Sequence, residues 1–197
     1  VDLTSWFQIH DDGPSITQVT SPTLDMLVVD ESNLAVDATS TFTVSSLFTS
    51  GYGADGAGSV TYSLETVGSD PNGYATGLKD TATGTDIYLV KDGAKLVGYV
   101  HDGAYASGTS TRSFEISLNG GGNVVFDQKR SVVHPDHPSN YDEPIGFSGV
   151  ANLVRVEGKI SDGDLDAKTA LSVDLTSWFQ IHDDGPSITH VTSQTLD

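Results

Sequence analysis

The chain carries nearly the same segment at its two ends. Val1–Asp25 reads VDLTSWFQIHDDGPSITQVTSPTLD, and Val173–Asp197 repeats it with Gln18 replaced by His190 and Pro22 replaced by Gln194. Two differences in 25 positions, at an offset of 172 residues, exclude coincidence. The sequence therefore predicts one repeat of a tandem array, and arrays of large repeats typically span distance or present surfaces.

The repeat boundaries are predicted at the sequence Asp-Asp-Gly-Pro, because Gly-Pro ends a strand and stiffens the residues that follow. Residues 1–12 are then the last strand and linker of a preceding repeat, 13–184 one complete repeat, and 185–197 the start of the next. We expect Val173–His182 to close the domain and its copy, Val1–His10, to be left without its own domain.

The composition favours cations as partners. Asp and Glu number 27 against 9 Lys and Arg, which gives a net charge of −18. Such a surface repels nucleic acid and anionic membranes, although acidic residues also serve solubility alone. The chain has no cysteine, so a bound metal is the obvious substitute for disulfides. No apolar run approaches the roughly 18 residues of a membrane span.

Alternating apolar and polar residues, separated by Gly, Asp and Asn, predict strands and turns throughout. We expect an all-β fold, an enlarged immunoglobulin/cadherin-like antiparallel β-sandwich. Residues Arg130–Gly149, with three prolines, are predicted to form a long ordered loop. The predicted strands are Leu3–Ile9, Asp25–Val29, Ala38–Val44, Ser59–Glu65, Asp86–Val90, Lys95–Val100, Arg112–Leu118, Asn123–Asp127, Asn152–Ile160, Lys168–Val173 and Leu175–Ile181.

The sharpest chemical motif is Ser161-Asp162-Gly163-Asp164-Leu165-Asp166. Three alternating carboxylates on a tight turn suit Ca²⁺, which takes six to eight oxygen ligands. The motif is not an EF-hand, because its glycine comes too early and no glutamate stands at the twelfth position. A solvated hairpin turn is the alternative.

Further acidic residues are candidates for the same site. In a sandwich, the hairpin between the last two long strands lies where the chain enters, so we expect the motif to adjoin Asp11 and Asp12. Their copies, Asp183 and Asp184, would play the same part at the following junction. Asp30 and Glu31 are further candidate calcium ligands, and Asp55 is another, although a plain Gly-rich loop is favoured at that position.

Other motifs are weaker. Gly51–Gly56 matches GxGxxG, but a strand follows instead of the helix that nucleotide binding requires. His134-Pro135-Asp136-His137 offers zinc ligands, yet a structural loop is favoured, with Asp136, Asp142 or Glu143 contacting calcium. No nucleophile or catalytic pair stands out, so an enzyme is not expected.

The Asp-Asp-Gly-Pro-Ser-Ile junction, Val29–Ser32, Gly53–Gly56 leading into Val60–Leu64, Gly77–Gly84, Arg130–Asp136 and Ser161–Asp164 together resemble the long extender repeats of RTX adhesins. These are giant Gram-negative surface proteins exported by type I secretion. The resemblance covers essentially the whole repeat. It implies a calcium-dependent β-sandwich, stacked end to end with neighbouring repeats outside the cell, that holds a distal ligand-binding region away from the surface.

The alternative function is a calcium-dependent carbohydrate- or surface-binding module. It would need an exposed aromatic pocket in each repeat. The tyrosines of the loops could supply one, namely Tyr52, Tyr74, Tyr105 and Tyr141. Direct contact with membranes or nucleic acid is not expected.

Overall fold

The described part of the chain is built from strands and short turns. The computed structural model describes residues 12–135 and 142–185. Within these ranges the strands are β1 (Ser15–Gln18), β2 (Leu27–Asp30), β3 (Ala38–Thr43), β4 (Phe48–Gly51), β5 (Ala57–Glu65), β6 (Tyr74–Lys79), β7 (Asp86–Asp92), β8 (Lys95–Val100), β9 (Arg112–Leu118), β10 (Asn123–Gln128), β11 (Pro144–Gly146), β12 (Arg155–Asp162), β13 (Ala167–Leu171) and β14 (Phe179–His182). Short 3₁₀ turns occupy Glu31–Asn33, Val44–Leu47 and Thr176–Trp178.

The largest sheet has six antiparallel strands in the order β3-β10-β9-β8-β7-β6. Its hairpins form where turn residues separate apolar runs. In the β9–β10 turn, Asn119 Oδ1 accepts hydrogen bonds from the backbone N–H groups of Gly121 and Asn123. In the β7–β8 turn, Gly93 adopts a positive φ of 61°, which glycine tolerates best.

Three smaller sheets share one hydrophobic core with the six-stranded sheet. Their strand orders are β13-β12-β5, β11-β14-β2 and β1-β4. Four phenylalanines from different parts of the chain pack ring against ring in this core, with centroids 5.1 to 6.0 Å apart. They are Phe114, Phe126, Phe147 and Phe179. Phe179 belongs to the duplicated segment, so this segment contributes directly to the core.

The predicted all-β antiparallel sandwich is confirmed, and the antiparallel sheets include a curled half-barrel. One pairing differs, because β14 runs parallel to β2, with Phe179 opposite Leu27 and His182 opposite Asp30. The alternate residues Leu27, Val29, Phe179 and Ile181 are all buried. This two-residue periodicity is the one expected of strands with one face on a core.

The sequence missed four short strands, β1, β4, β6 and β11. The long loop predicted for Arg130–Gly149 is interrupted by β11, which pairs with β14. The strand predicted at Leu175–Ile181 begins instead as a 3₁₀ turn, because Asp174 Oδ1 accepts a hydrogen bond from Thr176 N at 2.9 Å. A side-chain acceptor of this kind competes with strand pairing.

The N-terminal copy of the repeat, Val1–His10, lies outside the described residues, as does the strand predicted at Leu3–Ile9. The predicted repeat boundaries therefore stay predictions. Over residues 12–135 and 142–185, no helix is both long enough and apolar enough to cross a membrane.

Candidate metal sites

The turn between β12 and β13 presents the aspartates of the Asp162–Asp166 motif. Asp162 N donates to Asp166 O at 3.1 Å, which closes the turn. Leu165 adopts a positive φ of 80°, a conformation that is costly for a residue with a branched side chain. The backbone is thus held in a tight turn that places three carboxylates within a few residues of one another.

Asp55, Asp162 and Asp164 form the aspartate cluster, in which one carboxylate oxygen from each lies within 4.8 Å of the others. Asp162 is only 1% exposed, and neither of its carboxylate oxygens has a hydrogen-bond partner in the described structure. Burial, followed by the neighbouring Asp164 carboxylate, raises the pKa of Asp162. A buried carboxylate with so few donors is costly, and a cation, a proton or an ordered water would each offset that cost.

Two glycines allow β5 and its preceding loop to approach this turn. A Cβ atom on Gly58 would lie 2.3 Å from Ser161 O, and one on Gly163 would lie 2.3 Å from Asp55 O. Any side chain at either position would collide with backbone. The pairing of β12 with β5 also shifts register between Ser161 and Asp162, a bulge that redirects the end of the strand.

The N-terminal junction contacts the same region. A Cβ atom on Gly53 would lie 2.1 Å from Asp12 O, and one on Gly13 would lie 3.7 Å from Asp166 Oδ2. The hairpin therefore adjoins the incoming chain, in agreement with the expectation from sandwich topology. Asp11, the other candidate at this junction, lies outside the described residues.

The aspartate cluster fits a calcium ion. Its three carboxylates offer up to six oxygens of the hard type that Ca²⁺ prefers, and backbone carbonyls lie close by. A cation would relieve the mutual repulsion of the carboxylates and give the buried oxygens of Asp162 a partner. Among the described residues, this cluster consists of carboxylates alone.

A second group of potential ligands, the histidine cluster, consists of Glu31, His134 and Asp183, again with ligand atoms within 4.8 Å. The side chains of His134 and Glu31 are 2% and 4% exposed. Glu31 was expected beside the Asp162–Asp166 motif, and the structure places it here instead. The physical reason is the parallel pairing of β2 with β14, which aligns the end of β2 with the C-terminal junction.

The other predicted candidates lie near the C-terminal junction. Asp30 is exposed, and its pKa is lowered by hydrogen bonding to the Ser32 side chain and to Ser32 N, which donates to Asp30 Oδ1 at 2.8 Å. Asp184 lines a pocket next to Asp183. Asp142 Oδ1 lies 2.8 Å from His182 Nδ1, and the carbonyl of Glu143 accepts a hydrogen bond from Asp183 N at 3.2 Å. His137 and Asp136 lie outside the described residues.

The loop tyrosines are engaged within the fold. Tyr52 and Tyr74 pack against the main core, and Tyr105 donates its hydroxyl proton to Asp92 at 2.7 Å. Burial and this carboxylate raise the pKa of Tyr105 to about 12. Tyr141 lies outside the described residues.

Sequence reasoning missed the grouping of His134 with Glu31 and Asp183. The histidine motif at 134–137 was noticed, but its neighbours come from β2 and from the end of β14. Only the fold of strands far apart in the chain brings these side chains together.

The chain belongs to a family described as a domain of unknown function (DUF5801), which matches residues 26–176. That range contains Asp55, Asp162, Asp164, Glu31 and His134, and it excludes both junctions. No curated protein and no solved structure matches the chain.

Proposed function

We propose that the chain is a structural spacer repeat of a cell-surface adhesin, folded and stiffened by calcium, and that it is not an enzyme. The observation that supports this most is the buried Asp162 carboxylate, which finds no hydrogen-bond partner among the described residues while the Asp55 and Asp164 carboxylates converge on it. The duplicated junction and the resemblance to RTX extender repeats supply the cell-surface context.

Calcium would act by linkage between binding and folding. An ion that binds the folded state and not the unfolded chain stabilises the fold in proportion to the logarithm of its concentration over Kd. Extracellular calcium modules commonly have Kd values of about 10⁻⁴ to 10⁻³ M. The repeat would therefore be loose where calcium is scarce, before export, and rigid outside the cell.

The ion would also tie the junction to the domain. Asp12 and Gly13 lie against Gly53 and Asp166, beside the cluster. Ordering the cluster would restrict the angle at which the preceding repeat leaves. End-to-end neighbours in the same chain are thus the proposed partners.

The alternative, a calcium-dependent carbohydrate-binding module, finds less support. Tyr52, Tyr74 and Tyr105 are partly buried and held by packing or hydrogen bonds within the fold, which leaves less of each ring to stack on a sugar. Their side chains serve the domain itself.

Two measurements on the chain test the proposal. Its melting temperature is expected to rise steeply as calcium increases from micromolar to millimolar, and a glycan array is expected to show no binding. A melting temperature that is the same in calcium and in chelator would contradict the spacer proposal, and specific glycan binding would favour the alternative.

A further inference from the structure

We propose that Glu31, His134 and Asp183 form a second metal centre, which takes a zinc-type transition-metal ion in preference to calcium. The inference does not depend on calcium at the aspartate cluster. It starts from a buried imidazole: neither ring nitrogen of His134 has a hydrogen-bond partner in the described structure. A buried polar atom left in this way costs free energy comparable to a lost hydrogen bond.

The imidazole faces two carboxylates. His134 Nε2 lies 3.6 Å from Glu31 Oε1, too far for a hydrogen bond but suitable for two groups that share an ion between them. Asp183 brings a further carboxylate oxygen to within 4.8 Å of both. One imidazole and two carboxylates are three ligands of types that zinc accepts, and zinc sites with three protein ligands keep a fourth position open.

Glu31 is already oriented for this role. Its Oε1 accepts hydrogen bonds from Val132 N at 2.7 Å and from Gln128 Nε2 at 2.9 Å. Carboxylates that bind metals are commonly held by such bonds. They fix the position of the Glu31 carboxylate, whose Oε1 lies 3.6 Å from His134 Nε2.

The ligand chemistry discriminates between metals. Ca²⁺ is bound by oxygen ligands, whereas imidazole suits zinc, copper, iron and nickel. The cluster also opens into a pocket of about 450 Å³ lined by Thr81, Ser131 and Asp184 among others. This space admits the ion together with water as a further ligand.

If the chain is one repeat of an array, this metal site lies at the junction with the following repeat. Through the duplication, Asp183 and Asp184 stand before the following repeat as Asp11 and Asp12 stand before this one. Asp183 would bind the ion of its own domain. Asp184 would take the position that Asp12 has here, beside the aspartate cluster of the following repeat. The same short junction would then be held by a metal on each side.

Zinc binding to the metal-stripped chain, with millimolar calcium added back, tests the proposal. Calorimetry is expected to show a zinc site that calcium does not displace, and Co²⁺ is expected to give the visible absorption of a low-coordinate nitrogen–oxygen site. His134→Gln should weaken zinc binding by about 100-fold or more, since losing even a group that merely orients a ligand costs about 10–100-fold. His101→Gln is the matched control, because His101 does not belong to the histidine cluster and its ring stacks on Tyr88 in the described structure.

Asp183→Asn provides a second variant, because Asp183 is only partly buried and the change preserves the side-chain shape. It should also weaken zinc binding while the chain stays folded. Wild-type affinity in both variants would overturn the proposal and leave a buried imidazole–carboxylate pair. If His182→Gln is the only variant that loses zinc, the ion belongs to the exposed His182–Asp142 pair. If calcium displaces zinc, the site is one of oxygen ligands. Either result would overturn the proposal. Calcium-dependent melting, measured without zinc, tests the spacer function separately.

Discussion

At the scale of single residues, Asp162 is the group whose surroundings are hardest to explain without a cation. Its side chain is buried at the end of β12 beside other carboxylates, and among the described residues neither of its oxygens accepts a hydrogen bond of normal geometry. Asp80 is buried to the same degree, yet it accepts hydrogen bonds from Arg130 and Thr83. The described fold therefore supplies hydrogen-bond donors to the Asp80 carboxylate and none of normal geometry to that of Asp162.

Asp162→Asn and Asp164→Ala are expected to raise the calcium Kd by at least about tenfold, because carboxylate number sets calcium affinity in such sites. In chelator, Asp162→Asn should be at least as stable as the wild type, since the change removes repulsion between like charges. Calorimetry and thermal melting measure the two effects. Asp102→Asn, at an exposed turn, is the control. A loss of stability in chelator as large as that in calcium would argue for a purely structural role.

Asp80 predicts a pH dependence. The hydrogen bond from Arg130, aided by Thr83, holds the pKa of Asp80 below its usual value. A group with a lowered pKa in the folded state stabilises the protein above its unfolded pKa of about 4, and this contribution is lost as pH falls through the folded value.

Asp80→Asn should therefore cost about 3 kcal/mol at pH 7, near the lower end for breaking a buried pair because Arg130 is partly exposed. The difference from wild type should shrink as the pH falls below about 4. Urea unfolding across this range measures it. A difference that stays constant with pH would show that packing, and not charge, is responsible.

At the scale of secondary structure, the aspartate cluster depends on how closely β5 approaches β12. Gly58 lies where the register shifts, and its missing side chain makes room for the carbonyls of Ser161 and Asp162. The motif Ser161–Asp166 was recognisable as a turn with ligands, but the contribution of Asp55 depends on this approach.

Gly58→Ala is expected to destabilise the domain by about 1–3 kcal/mol, the usual cost of overpacking, and to weaken calcium binding by moving Asp162 away from Asp55. Gly103→Ala is the control, because a Cβ atom there meets nothing within 4 Å. Chemical unfolding and calcium titration measure both effects. If the Gly58→Ala variant is destabilised but binds calcium with unchanged affinity, the metal site does not depend on the close approach of β5 to β12.

At the scale of the whole molecule, the proposed tandem array makes the junction the part that would set how repeats are arranged. The duplicated segment supplies β14 and its buried Phe179 to one domain. In the proposed array, the Asp-Asp-Gly-Pro sequence that follows would lead into the next repeat. Because Asp12 contacts the region of the aspartate cluster, metal binding and the angle between repeats should be coupled.

A chain of two repeats should therefore be longer and narrower in calcium than in chelator when measured by small-angle X-ray scattering. The same two-repeat chain carrying Asp162→Asn in both repeats should remain in its chelator-like dimensions at millimolar calcium. Asp102→Asn in both repeats should leave the calcium response intact. Identical dimensions of the wild-type chain in calcium and in chelator would contradict a calcium-rigidified junction.

Strands with regular alternation and strong turn residues were predictable. Lys95–Val100 and Arg112–Leu118 have the predicted bounds, because their apolar residues and flanking turns leave few alternatives. Tyr74–Lys79 was missed, because Thr76 and Gly77 break its apolar pattern. Thr76 is nevertheless fully buried, and its hydroxyl donates to Ile87 O at 2.7 Å. Tertiary packing made a strand from residues whose local preference is weak.

The sequence by itself determined the β class and the turn that holds Asp162, Asp164 and Asp166, since both are written in neighbouring residues, and it showed the duplicated segment directly. Only the tertiary structure decided which acids meet. It brought Asp55 to Asp162, and it moved Glu31 away from the predicted calcium site to His134 and Asp183. The reason is that strand pairing joins residues far apart in the chain, and pairings such as that of β2 with β14 are fixed by burial of whole strand faces.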